Sequence, residues 1–259
     1  MAISIQSITL AAAGKSNCPL AVGILSVLAK TPGVKVKILH FGASNPDYSD
    51  VPNAEVEMVS GEASAKSIIS HIGDQSPDLL ILPIKSENSD AGLVQASDSC
   101  KIIDKYERTV LTVPANSAIQ EIRHVFVPLD TSFETRQKTP YALFMAMRFG
   151  ASLHVLGISN DTGKDAEVTV KNYTRQVANH IEEKGLSCTI DMDMGGNPTQ
   201  KVIQFAGTKQ GGIIIIMTEM ETGIMNIFKG TYSEQMIKTS PYPVLAIHPR
   251  DLVVSEARL

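Results

Sequence analysis

Gly61-Glu62-Ala63-Ser64-Ala65-Lys66-Ser67-Ile68 is answered later in the chain by Gly196-Asn197-Pro198-Thr199-Gln200-Lys201-Val202-Ile203, at an offset of 135 residues (61 to 196). At that offset Asp78-Leu79-Leu80-Ile81-Leu82 falls on Ile213 to Met217, and Val110-Leu111-Thr112-Val113 falls near Val244-Leu245-Ala246-Ile247. Earlier in each half Lys35-Val36-Lys37-Ile38-Leu39 matches Ser152-Leu153-His154-Val155-Leu156, now at an offset of 117 (35 to 152). Self-similarity at a long offset indicates two copies of one folding unit. The 18-residue change of offset (135 − 117) lies between the second and third strands of each copy. There the second copy has room for a helix, and the first has only the turn-rich Asn45-Pro46-Asp47-Tyr48-Ser49-Asp50-Val51-Pro52-Asn53.

Each copy alternates short, nearly continuous apolar runs with longer helical patterns, as a parallel sheet does when helices cover both faces. In the second copy the expected strands are His124 to Leu129, Leu153 to Ile158, Ser187 to Met192, Ile213 to Met217 and Pro243 to Ile247. Val170, Tyr173, Val177 and Ile181 recur at helical spacing and predict an amphipathic helix near residues 165–184. Asn197-Pro198 is a helix start, with an N-cap side chain before a proline suited to the first turn, and Gly150 and Gly185 suit left-handed C-terminal caps. The expected layout is one domain over residues 1–113 that lacks one helix, a linker over 114–123, a second domain over 124–250 and a tail over 251–259. Packed about a pseudo-twofold, the two domains would hide the edge strands Thr109 to Val113 and Pro243 to Ile247.

Composition removes several classes of function. The 259 residues are 43% hydrophobic with a formal net charge of -4, and they contain no basic block and no acidic tail. This argues for a globular core and against nucleic-acid or membrane-surface partners. No apolar run nears the ~18 residues of a membrane span and Met1 to Ile5 carry no charged leader, so a cytoplasmic protein is expected. Cys18, Cys100 and Cys188 are widely spaced, and the six histidines form no HxxxH or HExxH pair, so neither disulfides nor a metal site is expected. Gly14-Lys15-Ser16 follows a strand, but Thr9 stands where a phosphate-binding P-loop needs its first glycine.

Val127-Pro128-Leu129-Asp130-Thr131-Ser132, then Pro140-Tyr141-Ala142-Leu143 and Arg148-Phe149-Gly150-Ala151-Ser152-Leu153-His154-Val155, resemble the opening of a universal stress protein domain. Gly230-Thr231 and Ser240-Pro241-Tyr242-Pro243-Val244-Leu245-Ala246-Ile247 resemble its ending. The resemblance implies two tandem five-stranded parallel-sheet α/β domains of the adenine nucleotide alpha hydrolase-like, Rossmann-like type. It also implies a ligand cleft at the carboxyl ends of the strands, lined in the second copy by Pro128, Leu129, Asp130, Ile158, Met217, Met220, Gly223, Gly230, Thr231, Tyr232 and Ser233.

In the nucleotide-binding branch of that family an acid follows the first strand, and a Gly-x2-Gly-x9-Gly-(Ser/Thr) loop follows the fourth. Glycines let backbone amides approach an anion, and the next helix start adds its dipole. Asp130 and Gly230-Thr231 match, whereas the first two glycines fall on Met217 and Met220, with Glu219 and Glu221 beside them. In the first copy Ala13 takes the place of the acid. Eight of the ten methionines lie in the second copy, three of them in or beside this loop, and flexible thioethers either plug a cleft or suit an apolar ligand. No nucleophile–base pair and no paired carboxylates for Mg²⁺ accompany Asp130. The expected function is stress-response binding without catalysis through a degenerate nucleotide cleft, possible partners being a small ligand and a second copy of the chain. The alternatives are a sensor for an adenine nucleotide such as ATP or AMP, or for an apolar molecule, and a slow ATPase.

Overall fold

The computed structural model describes residues 3–13, 18–43, 47–73, 76–85, 92–106, 108–132, 134–218 and 231–248. It divides into two compact units, Ser4–Glu121 with Pro241–Leu259, and Met1–Ile3 with Ile122–Ser240. These are called the first and second unit below.

In the first unit, strands β1 (Ser7–Ala12), β2 (Lys35–Phe41), β3 (Ala54–Val59), β4 (Leu79–Lys85) and β6 (Thr109–Pro114) form a parallel sheet in the order β3-β2-β1-β4-β6. The two-residue β5 (Val94–Gln95) adds to β4. Helices α1 (Pro19–Leu28), α2 (Ala65–Ile72) and α3 (Ala96–Tyr106) make the crossovers. β1, β4 and β6 are buried along almost their whole length, as their apolar runs require.

Between β2 and β3 the described residues form turns. Tyr48 folds inward there and its hydroxyl meets the Nδ1 of the fully buried His40 at 2.9 Å. On β3, Val56 and Met58 remain 39% and 52% exposed.

The last strand, β11 (Val244–Ile247), belongs to the first unit. It runs antiparallel to β6, pairing Val244 with Thr112, Leu245 with Leu111 and Ala246 with Val110. The Thr112 hydroxyl donates to the Val244 carbonyl, and Ser117 donates to that of Pro241. The sequence reading made this strand the fifth of the second copy. Its ladder with β6 explains why the structure groups it with the first, since edge amides and carbonyls gain partners there.

The second unit repeats the strand order as β9-β8-β7-β10, from β7 (His124–Leu129), β8 (Ser152–Ser159), β9 (Cys188–Met194) and β10 (Ile213–Met217), all parallel. Its helices are α4 (Thr139–Phe149), α5 (Lys164–Glu183), α6 (Pro198–Thr208) and α7 (Tyr232–Thr239). In α5 the residues Val170, Val177 and Ile181 are buried, each contributing about 1.5–3 kcal/mol. Gly150 ends α4 with φ 61 in the left-handed region.

α6 starts where Asn197-Pro198 places it, with the Asn197 carboxamide accepting from the Gln200 amide at 3.1 Å. Removing this cap in Asn197→Ala is expected to lower stability by about 1 kcal/mol, measured by urea unfolding. No helix among the described residues is long and apolar enough to cross a membrane.

Candidate functional site

Open parallel sheets bind ligands where the strand order reverses, outside the carboxyl ends of the strands. In the second unit that point lies between β7 and β10. Their register pairs Ile213 with Val125 and Ile214 with Phe126, which carries Met217 to the level of Leu129 and the next residues, Asp130 and Thr218, side by side. β7 pairs Pro128 with Leu156 and Leu129 with Gly157 on its other side, which brings Ile158 to the level of Asp130. Pro128, Leu129, Ile158 and Met217 are all buried and form the floor. Met220, Gly223 and Gly230 lie outside the described residues.

Asp130 is half-buried and has its Oδ1 engaged. The Ser132 amide donates to it at 2.9 Å and the Ser132 hydroxyl donates to the same oxygen, closing a tight turn after β7. A 3-10 turn, Glu134–Lys138, then packs on β7, β10 and α4. Arg136 anchors it, with its guanidinium 4.2 Å from the centroid of the Tyr173 ring and a hydrogen bond to the Gln176 carboxamide, both on α5.

The turn delivers Lys138 into the interior at 3% exposure, in the field of Asp130. Burial lowers its ammonium to about 8, and the Asp130 carboxylate offsets part of that effect. On the third side Tyr232 opens α7. Its hydroxyl is buried without a hydrogen-bond partner, and burial together with the Asp130 charge pushes its ionisation up.

Thr231 is the N-cap of α7, its side chain accepting from the Glu234 amide at 3.2 Å. Its hydroxyl meets that of Ser233 at 3.0 Å, and Ser233 reaches the Thr218 carbonyl at 3.4 Å. The helix start that the resemblance links to phosphate is therefore tied down by its own side chains and fastened to the end of β10. In the first unit, Ala13 after β1 supplies no acid, and Gly14-Lys15-Ser16 lie outside the described residues. Among the described residues no group of three or more His, Cys, Asp or Glu is placed to hold a metal ion.

Lys138 was not among the sequence-derived site residues. Nothing in its local pattern marks it, since a lysine nine residues past a strand (129 to 138) ordinarily reads as surface. Its burial has a measurable consequence. Above pH 8 folded Lys138 is neutral, whereas the unfolded side chain keeps its proton to about 10.5, so the unfolded state binds more protons and stability rises with pH. A gain of about 2 kcal/mol between pH 8 and 10 is expected in urea titrations, and its absence in Lys138→Met would assign it.

No protein-family model matches the chain. A universal stress protein of Methanocaldococcus jannaschii is 24% identical over 139 residues, which cover 48% of this chain and 81% of that protein. A universal stress protein from Archaeoglobus fulgidus superposes with a TM-score of 0.67 at 17% identity, over 95% of this chain and 99% of that one. A functionally unknown protein from Pseudomonas aeruginosa gives 0.69 at 17% identity, over 98% and 97%. The structural likenesses establish the fold across nearly the whole chain. The chain has a Rossmann-like α/β architecture with a strand order that recurs in both units, and it is similar to universal stress proteins, in a tandem two-domain layout.

Proposed function

We propose that this chain is a cytoplasmic stress-response protein that acts by binding and association, without chemistry of its own. We further propose that the cleft of its second unit is closed to nucleoside triphosphates. The observation that carries this reading is the surroundings of Asp130. Lys138, whose charge interacts with that of Asp130, is 3% exposed. Its charge therefore serves the carboxylate from behind rather than a phosphate arriving from solvent. Met217 stands where the family pattern has its first glycine, so a thioether side chain replaces the close approach of a backbone amide.

A second reading has one observation in its favour. The Tyr232 hydroxyl is a buried donor with no acceptor, an arrangement that costs about 1–3 kcal/mol unless something completes it. A compact ligand with one acceptor group, such as an adenine nucleoside or an apolar molecule, would do so.

Heat-denaturing purified protein and identifying released small molecules by mass spectrometry separates the two. The closed-cleft reading expects no stoichiometric ligand. A stoichiometric adenine nucleotide contradicts it, whereas an uncharged molecule that is lost in Tyr232→Phe selects the sensor.

A further inference from the structure

At the amino ends of β7, β8 and β9, away from the cleft, the sheet face under α6 carries a chain of polar groups that no part of the cleft uses. His124 Nδ1 lies 3.0 Å from His154 Nε2, His154 Nδ1 lies 2.8 Å from the Thr189 hydroxyl, and that hydroxyl donates to Asp191 Oδ2 at 3.4 Å. We propose that this His124–His154 pair is a proton-gated lock, which holds α6 on the sheet while both rings are neutral and loosens it on acidification.

The order of protons follows from the last link. Because the Thr189 hydrogen goes to Asp191, His154 Nδ1 must donate to Thr189 Oγ1. Its Nε2 then has only a lone pair to offer, and His124 Nδ1 donates to it. All hydrogen bonds in the chain point toward the carboxylate. A proton added at His154 Nε2 would face the N–H of His124 across 3.0 Å, so the bond between the rings is kept only if His124 shifts its own proton to Nε2 and reverses its role.

The surroundings make an imidazolium costly. His154 is 4% exposed and stacks on Phe126, with centroids 5.2 Å apart and planes at 20°. Phe205 of α6 meets both rings edge-on, 6.2 Å from His154 and 6.0 Å from Phe126. The charges facing the pair are Arg123 before β7, Lys209 at the end of α6 and Asp191 on β9, two cations against one acid. Lys209 also lies over the outer side of the Phe205 ring at 5.9 Å. A charged His154 would thus desolvate beside aromatic faces with a net positive neighbourhood, and the relief available is withdrawal of α6 with Phe205 and Lys209 to admit water.

Burial, with His124 and Lys209, pushes His154 down to about 4, and burial, Lys209 and Arg123 lower His124 as well. Both rings are thus held neutral in the closed state and take up protons on opening. The contribution is complete above the unfolded value of about 6.5 and is lost as pH falls toward about 4.

The test combines imidazole ¹⁵N NMR with amide hydrogen exchange on the full chain from pH 7.5 to 4.5. The expected result is a neutral His154 protonated on Nδ1 throughout the range above about pH 5. The opening equilibrium of α6, β8 and β9 amides is expected to rise about tenfold from pH 7 to pH 5, once intrinsic exchange rates are divided out. In His154→Phe, which keeps an aromatic ring on Phe126 but cannot titrate, that pH dependence is expected to flatten. Titration of His154 near 6.5, the opposite tautomer, or an unchanged acid response in His154→Phe would overturn the proposal. The first two are read on the unmodified protein and do not depend on the variant folding.

Discussion

Gly212→Ala is expected to lower stability by about 3 kcal/mol. Gly212 immediately precedes β10, where the strand first meets β7. A Cβ there would run into the backbone carbonyl of His124, lying 2.8 Å from its carbonyl carbon. Backbone cannot swing aside as a flexible side chain can, so the pairing of Ile213 with Val125 and of Ile214 with Phe126 would have to give way. Gly23→Ala serves as the control. A Cβ at Gly23, inside α1, meets nothing within 4 Å, and the same chemical change is expected to stabilise by about 0.5–1 kcal/mol. Urea midpoints of the two variants should move in opposite directions.

Phe126→Ala is expected to cost about 3–5 kcal/mol. The ring is fully buried at the centre of the second unit, between His154 and Phe205. Its loss leaves a cavity lined by side chains fixed on β8 and α6, which cannot close over it without moving the helix. Water entering the cavity would also ease protonation of His154, so the variant should lose less stability on acidification than the parent. Urea unfolding at pH 7 and pH 5 measures both effects.

Much of this fold is legible residue by residue. The stripe Val170, Val177 and Ile181 is the buried face of α5, Asn197 caps α6, and the repeat places the corresponding strands. These features are local or periodic, and local rules govern them. β11 is different, because the repeat marks it and Thr109 to Val113 as edges to be hidden, while the antiparallel register that joins them is not a local property. Pairing with β6 joins residues more than 130 positions apart, such as Val110 and Ala246. The histidine chain was hidden for the same reason. His124 and His154 are unremarkable in sequence, and only the parallel register of β7 and β8, which sets Phe126 against His154, brings them together.

At the candidate site, Asp130, Met217, Thr231 and Ser233 could be located from the family pattern. The roles of two of them depended on geometry, since Thr231 turned out to cap its own helix and Ser233 to fasten it to Thr218. Lys138 could not be read, because its burial is produced by a 3-10 turn whose anchor, the Tyr173 ring, lies on another helix.

The proposed function rests on a second-unit cleft that has no place for a triphosphate. Isothermal titration of the purified chain with ATP and Mg²⁺ tests it most directly. The account predicts no saturable heat, both for the parent and for Asp130→Ala. A saturable isotherm for the parent that disappears in Asp130→Ala would contradict it.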